Sequence, residues 1–569
     1  MVVSASSPPP PSSSPARPAL QRRHLFARAL ASARTYLTMS SVEKPDKRMG
    51  VEDKQLEESA SSVLEDGTTP VAKAPGSQLS LRETFSVWRK GVFWSVALSF
   101  AVIMESYDTI LLNSLYAAPA FQRAYGVQQP AGNFIIPTAW QSALGSGTNA
   151  ALIIGIVIGA PLIDRFGYRW CMIGGLLWNF AFAFLIFFSR DLPMLLAGNM
   201  LCGLPWGMFA IAAVAYAVEV VPTQIRSYLS SYVNLCWVIG HLIGAGVLKA
   251  SLDYNSEWTY KLPFLLIFMI PIPLAVALFF APESPYYLAR KGRLEEAAAA
   301  MDRLHRPHPS VDSRELVEQI AETHRIETEM KTGGKWQSCF QGVNLRRTEI
   351  AVISWTSPGL VGFVFQFFAT FFFTRAGFPP DKAFALGLGN YAIAFVGTVT
   401  SWFLQAHLGR RTIILYGYCV MLPLVTLVAC LDFAKTDSGR WAQAILLMVW
   451  FFGYGSSQGP IPYSIAAESP AIKLRAKTLA LARGIYYIVL ILSTTLAPYF
   501  FQTWNLKGKS AFPAVAFTAI LFVWSFFRLP EMKGRSFEEL DILFALRVPA
   551  RKFKSYVITA EDKRSVGHH

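Results

Sequence analysis

Charge is scarce in this chain. Asp, Glu, Lys and Arg together make up 16% of 569 residues, against roughly a quarter in a soluble domain. With 53% hydrophobic residues, that deficit excludes the string of soluble domains that length alone would suggest. Cysteine is also thin. Cys171, Cys202, Cys236, Cys339, Cys419 and Cys430 show no disulfide or zinc spacing, and five of them lie in apolar runs, where they read as packing residues. Missing too are a Gly-rich phosphate loop, a zinc-ligand pattern, paired catalytic acids at a strand end and a G-x-S-x-G elbow. These absences argue against an enzyme and against ATP-driven work, and no cofactor or metal is expected. The charge that remains is unbalanced: 52 Lys and Arg against 37 Asp and Glu give +15. In a soluble chain that excess would suggest nucleic acid. Here the apolar content assigns it to a membrane surface, with a lipid bilayer and no nucleic acid as partner.

A bilayer core needs about 20 consecutive apolar residues per helix. Twelve such runs lie near 92–115, 137–161, 171–189, 193–217, 228–250, 262–281, 348–373, 382–405, 412–431, 442–464, 478–501 and 511–528. The fourth, tenth and eleventh are the least clean. Gly and Pro recur inside the runs, as membrane helices accept. The expected organisation is a disordered tail (1–90), a six-span half (91–281), a loop with short helices (282–347), a second six-span half (348–528) and a C-terminal tail (529–569). In the loop, 294–304 and 313–330 read as helices that brace the two halves.

The long polar segments carry Arg82, Arg89, Lys90, Arg290, Lys291, Arg293, Arg346, Arg347, Arg528, Lys533 and Arg535. The positive-inside rule assigns them to the cytoplasm. With an even span count both termini are expected there. The opposite loops hold Lys249, Lys261, Lys507 and Lys509, so orientation rests mainly on the long segments. The first 38 residues hold Arg17, Arg22, Arg23, Arg28 and Arg34 among Ser and Pro, without an acid. That composition is like a mitochondrial transit peptide. The acidic stretch from Glu52 to Asp66 and the spans that follow favour a Pro/Ser-rich extension instead.

The chain also repeats itself. Glu219 and Arg226 recur 249 residues later as Glu468 and Arg475, and Pro282-Glu283 recurs 248 residues later as Pro530-Glu531. Asp164-Arg165-Phe-Gly-Tyr-Arg169 aligns with Ala406-His-Leu-Gly-Arg410-Arg411. Two parallel six-span halves follow, an architecture that places a binding site near the midplane between them.

These residues carry a resemblance. Asp164–Arg169 resembles the loop signature of the major facilitator superfamily. Pro282-Glu-Ser-Pro-Tyr-Tyr-Leu288 and Pro530-Glu-Met-Lys-Gly-Arg535 resemble the two boxes of its sugar porters. Met104-Glu-Ser-Tyr-Asp-Thr109, Leu201–Gly207 and Tyr232–Gly240 are similar to the fungal maltose/α-glucoside permease branch. The resemblance covers about residues 90–545. It implies an all-α integral membrane protein of twelve helices in two halves, with helices in the central loop. It also implies a monomeric sugar:proton symporter of the plasma membrane that works by alternating access.

Glu105 and Asp108 interrupt the first run three residues apart, on one helix face. An acid at membrane depth marks a functional site by default. The resemblance makes Asp108 the protonation site. The Arg that the family often carries on the fourth span is Asn199 here, so coupling through Glu105, or no coupling, stays open. Asn234 and His241 match the family's sugar-binding positions on the fifth span, with interhelical hydrogen bonding as the alternative role. In the tenth run, Gly453, Gly455, Gly459, Pro460 and Pro462 predict a broken helix, flanked by Gln458 and by Tyr463, which matches a sugar-stacking aromatic residue. The seventh span departs most. Its expected amides are Pro358, Gly359 and Val364, and its tyrosines are Phe367 and Phe368; Gln366 is the one amide nearby. Either the substrate is less polar than a disaccharide, or Gln141, Asn149, Asn390 and Gln405 compensate. The Phe run reads as lipid-facing or core.

The remaining charges, Asp164, Arg165, Arg169, Glu219, Arg226, Glu283, Arg410, Arg411, Glu468, Arg475 and Glu531, cluster at one set of span ends, where the resemblance makes them an ion network that closes the inward gate. Two readings compete with the symporter: a facilitator or carrier of a less polar metabolite, and a non-transporting sensor. The sensor's mark is a very long C-terminal tail, and this tail has about 40 residues.

Overall fold

The computed structural model describes residues 80–559 and Asp562, apart from residues 131, 255, 310, 332–335, 435, 472–473 and 536. The expected N-terminal tail, with its transit-like stretch, lies outside the described residues up to position 79.

The apolar runs become helices wherever a polar residue or a proline can start or stop them. The first half comprises α1 (Arg89–Leu115), α2 (Thr138–Phe166), α3 (Tyr168–Phe187), α4 (Leu192–Glu219), α5 (Thr223–Ser251) and α6 (Trp258–Phe279). The second comprises α7 (Gly342–Arg375), α8 (Pro380–His407), α9 (Arg410–Leu431), α10 (437–468), α11 (Arg475–Pro498) and α12 (Phe512–Arg528). Most run past the apolar windows read from the sequence, because a helix continues through its amphipathic ends after the hydropathy has fallen. Side chains fix several starts. Asp191 accepts from the Met194 N–H at 2.8 Å to begin α4, and Thr436 accepts from the Gly439 N–H at 3.1 Å to begin α10.

Among the described residues, eleven helices are long and apolar enough to span a bilayer. The twelfth, α10, is broken. An α-helix to Gly453 gives way to a π-helical turn, Tyr454–Gln458, and resumes at Ile461–Glu468. Pro460 and Pro462 cannot supply the backbone donors of a continuous helix. Gly455 sits where an added Cβ would meet the Ala394 carbonyl of α8 at 2.6 Å, so the break lies at a close helix crossing. α7 breaks at Gly362–Val364, and α6 divides at Pro271. The phenylalanines after the α7 break are core rather than lipid-facing: Phe365, Phe367, Phe368, Phe371, Phe372 and Phe373 are all buried.

The halves repeat their packing. α1 packs on α5 as α7 packs on α11, α2 on α4 as α8 on α10, α3 on α4 as α9 on α10, and α3 on α6 as α9 on α12. Between halves, α5 meets α8, α2 meets α11, and α1 meets the second piece of α7. A short antiparallel ladder, with Val127 opposite Ile135, lies between α1 and α2.

The central segment forms helices at Pro285–Arg290, Leu294–Leu304 and Ser313–Lys331. Their described contacts run to the first half. His305 packs on Trp88 at 5.3 Å, and the Arg306 N–H donates to the Val87 carbonyl at 2.8 Å. They therefore brace one half. The second half has its own helix, Phe537–Ala545, held through Arg347, which pairs with Asp541 at 2.5 Å and lies over Phe544 at 4.8 Å. Four cysteines are buried as packing residues; Cys419 and Cys430 instead face outward on α9.

Candidate functional site

Polar groups gather where the halves meet at membrane depth. His241, from α5, is buried with its Nε2 unpartnered, and its ring lies 5.2 Å from Tyr391 of α8 and 5.9 Å from Phe367 of α7. The Tyr391 hydroxyl donates to the Gln366 carbonyl at 3.2 Å. The Gln366 side-chain oxygen has no partner, and neither polar atom of Asn390 has one. Asn234, one face below His241 on α5, reaches the α10 break: a Cβ at Gly459 would stand 3.7 Å from its Nδ2. Tyr391 thus links His241 of the first half to Gln366 of the second, with Asn390 one residue along on α8 and Asn234 at the α10 break. A buried amide or imidazole without a partner costs about 1–3 kcal/mol, a cost that a polyol's hydroxyls would relieve.

Glu105 and Asp108 are both buried on α1. Their surroundings differ. Asp108 lies within electrostatic range of Cys202 on α4, inside the first half, with its Oδ2 unpartnered. Glu105 has neither oxygen hydrogen-bonded and lies within electrostatic range of Arg483 on α11, across the interface. Arg483 was missed in the sequence reading. It lies within electrostatic range of Tyr487, donates to the Ala210 carbonyl of α4 at 3.4 Å, and lies 5.9 Å over the Trp355 ring of α7. The signal was present as a single basic residue inside the eleventh apolar run. Asn199, where the family often carries Arg, is occupied locally by its donation to the Leu195 carbonyl at 2.8 Å.

Tyr463 joins this second cluster, 5.1 Å from Trp355 and within electrostatic range of Arg483. Gln458 does not. It is fully buried in the second half, where it accepts from Ser357 Oγ at 3.1 Å and meets the Tyr418 hydroxyl. Gln141 and Asn149 are also engaged elsewhere, in the seam between α2 and α11. Gln141 Nε2 donates to Gln502 at 2.8 Å, Ser142 Oγ to the Thr495 carbonyl at 2.7 Å, and Asn149 Nδ2 to Thr494 at 3.4 Å. Ser146 meets Thr495 at 2.6 Å and Thr138 meets Thr503 at 3.0 Å. Lys249 of α5 pairs with Asp381 of α8 toward the same end. This is the latched end of the interface.

At the opposite end, beside the central segment, Glu219, Glu468, Glu283 and Glu531 find partners within their own halves or in the central segment. Glu219 pairs with Arg290 at 3.2 Å and accepts from Tyr168 and Ser284, while Arg226 donates to the Tyr286 hydroxyl at 2.5 Å. The seven-residue Glu219–Arg226 spacing is therefore not a direct pair. Glu468 pairs with Arg410 and lies within electrostatic range of Arg475. Asp164 and Arg165 stand exposed at the end of α2. Glu283 accepts from the N–H groups of Tyr168 and Arg169 at 3.0 and 3.1 Å, and Glu531 repeats this with Arg410 and Arg411 at 2.9 and 3.1 Å. Burial pushes the Glu283 carboxyl up from its ordinary range, while the N–H groups of Ser284, Arg169 and Tyr168 oppose the shift. Where the second half lacks a loop acid at Ala406, Lys533 Nζ instead donates to the carbonyls of Gln405, Ala406 and Leu408, closing the end of α8.

Two six-helix repeats enclosing a polar midplane define a membrane carrier. The family model described as "Sugar (and other) transporter" matches residues 94–544, and the chain belongs to that family. A general alpha-glucoside permease of Saccharomyces cerevisiae is 35% identical over 505 residues, covering 87% of this chain and 82% of its own. A maltose permease of the same yeast is 34% identical over 509 residues, covering 88% and 83%. These relatives are transporters, not enzymes. Among solved structures, the xylose transporter XylE from E. coli in a partially occluded inward open conformation superposes with a TM-score of 0.65 at 16% identity, over 79% of this chain and 99% of its own. XylE bound to 6-bromo-6-deoxy-D-glucose gives 0.63 at 18%, over 80% and 99%. The fold is that of the major facilitator superfamily.

Proposed function

We propose that this chain is a proton-coupled importer of α-glucosides, of the maltose, sucrose or trehalose type, working as a monomer in the plasma membrane with both termini in the cytosol. The relatives named as α-glucoside and maltose permeases support the substrate class. The observation that carries the reading is the set of unpartnered polar side chains contributed by both halves, His241 with Gln366 and Asn390, together with the buried acids Glu105 and Asp108 on α1. The hydroxyls of a sugar satisfy the first group and a proton neutralises the second.

In this mechanism residues 91–281 and 348–528 rock about the site. An ionised Glu105 is attracted to Arg483 across the interface and resists reorientation of the empty, unprotonated carrier; protonation removes that attraction. Tyr463 and Trp355 offer aromatic faces to the sugar's C–H surface. Glu219, Glu283, Glu468 and Glu531 with their arginines hold each half rigid at the cytosolic end. In the described conformation the polar seam between α2 and α11 is closed at the outer end.

The deciding measurement is uptake of labelled maltose, sucrose and trehalose in a transporter-null yeast host, with and without a protonophore. Accumulation that the protonophore abolishes is expected. Absence of uptake of every sugar overturns the reading, and uptake indifferent to the protonophore removes the coupling. One observation favours a second reading, a facilitator of a less polar solute: Val364, where the family has an amide, is buried and apolar beside Phe363 and Phe365. It predicts uptake of such a solute down its gradient and none of the sugars.

A further inference from the structure

The repeated motif at the span ends beside the central segment has a feature that transport does not use. In each half an arginine next to the glutamate-bound turn donates to a carbonyl at the end of a lipid-facing helix: Arg169 to Phe279 of α6, and Arg411 to Phe526 of α12, the latter at 2.8 Å. In both arginines Nε is buried without a partner. A second arginine converges on each. Arg303 donates to the Phe280 carbonyl at 2.7 Å, and Arg551 stacks over Phe526 at 4.2 Å and Phe527 at 4.9 Å, within electrostatic range of Arg411. The nearby acids are engaged. Glu283 and Glu531 are held by backbone N–H groups, and Glu296 pairs with Arg293. Beside the arginines, Phe279, Phe280, Phe526 and Phe527 stand exposed. In the first half Arg169, Arg293 and Arg303, with Trp170 and the engaged carboxylates Glu283 and Glu296, line a cavity of about 350 Å³.

Converging guanidinium groups match a phosphate, which accepts from arginine N–H groups. Bare aromatic rings beside them at the membrane boundary match acyl chains. Basic pockets on the cytosolic side of membrane helices hold anionic headgroups in this way. We propose that the cavity at Arg169 and Arg303, and the corresponding arginine pair Arg411 and Arg551, each hold the phosphate of one anionic phospholipid whose chains lie along Phe279–Phe280 and Phe526–Phe527.

The test is native mass spectrometry of the purified full chain, titrated with dioleoylphosphatidylserine, dioleoylphosphatidylcholine or inorganic phosphate. Preferential retention of two phosphatidylserine molecules is expected. Arg303→Gln and Arg551→Gln should each weaken one of the two by about fivefold, in line with the attraction of a single basic side chain to an anionic surface. Arg303→Lys and Arg551→Lys, which keep the charge but lose the fork and the stacking, should bind more weakly than the parent and more tightly than the Gln variants, so that loss in the Gln variants is separable from misfolding. Equal retention of phosphatidylcholine, or a double Gln variant that keeps both lipids, overturns the proposal. Displacement of the lipid by millimolar phosphate overturns the lipid as the source of the anion.

Discussion

Glu105 and Asp108 lie three residues apart, yet one looks across the interface and the other into its own half. At this scale the coupling proposal separates into parts. Asp108→Asn and Glu105→Gln are each expected to abolish accumulation while sparing exchange, measured by sugar counterflow in energised and de-energised cells; unchanged accumulation removes that residue from coupling. Arg483→Gln removes the cation within electrostatic range of the buried Glu105 and is expected to lower both exchange rate and thermostability. The double variant Glu105→Gln with Arg483→Gln is then expected to exceed Arg483→Gln alone in exchange rate and thermostability. A double variant no better than the single argues that the two side chains act independently. Val364→Asn restores an amide on α7. It is expected to lower the KM for maltose by up to about tenfold, the worth of one good hydrogen bond, and an unchanged KM places the sugar elsewhere.

At the scale of the element, the turn between α2 and α3 turns on one residue. Gly167 has φ of +86°, and a Cβ there would meet Glu283 Oε2 at 2.5 Å. Gly167→Ala is expected to cost about 1–3 kcal/mol in backbone strain, besides displacing Glu283 from the N–H groups it accepts from. The check is the unfolding temperature of the purified variant beside that of the parent. A variant as stable as the parent would mean that the turn relaxes. The breaks in α7 and α10 were partly legible. Gly and Pro clusters announced the α10 break, whereas the π-helical register of Tyr454–Gln458 depends on α8 packing against it at Gly397 and Gly455. That register also turns Gln458 toward Ser357 and Tyr418 rather than the interface, which no linear spacing discloses.

Between the halves, one end is held by Gln141, Ser142, Ser146 and Asn149 of α2 against Thr494 and Thr495 of α11 and Gln502 in the π-helical turn that follows it. Gln502 also accepts from Arg375 of α7 at 2.9 Å. Removing one such bond shifts a two-state equilibrium by about 1 kcal/mol, roughly fivefold. Gln502→Ala is therefore expected to enlarge the population with these ends apart, measured as spin-label distances between the loops preceding α2 and following α11. An unchanged distance distribution argues that the seam is packing rather than latch.

Read alone, the sequence determined that the chain is a membrane protein of twelve spans in two repeats, and it pointed to the acids in α1, because apolar length, charge and short motifs are local properties. The central helices at Leu294–Leu304 and Ser313–Lys331 were legible for the same reason. The tertiary structure decided which polar residues share a space. Glu105 and Arg483 are separated by more than half the chain, as are Gln141 and Gln502, and Arg169 and Arg411 repeat one another only once α6 and α12 supply their carbonyls. Such pairs form because two faces with unsatisfied polar groups lose less free energy buried against each other than against lipid, and which faces meet is a property of the packed bundle rather than of any one helix.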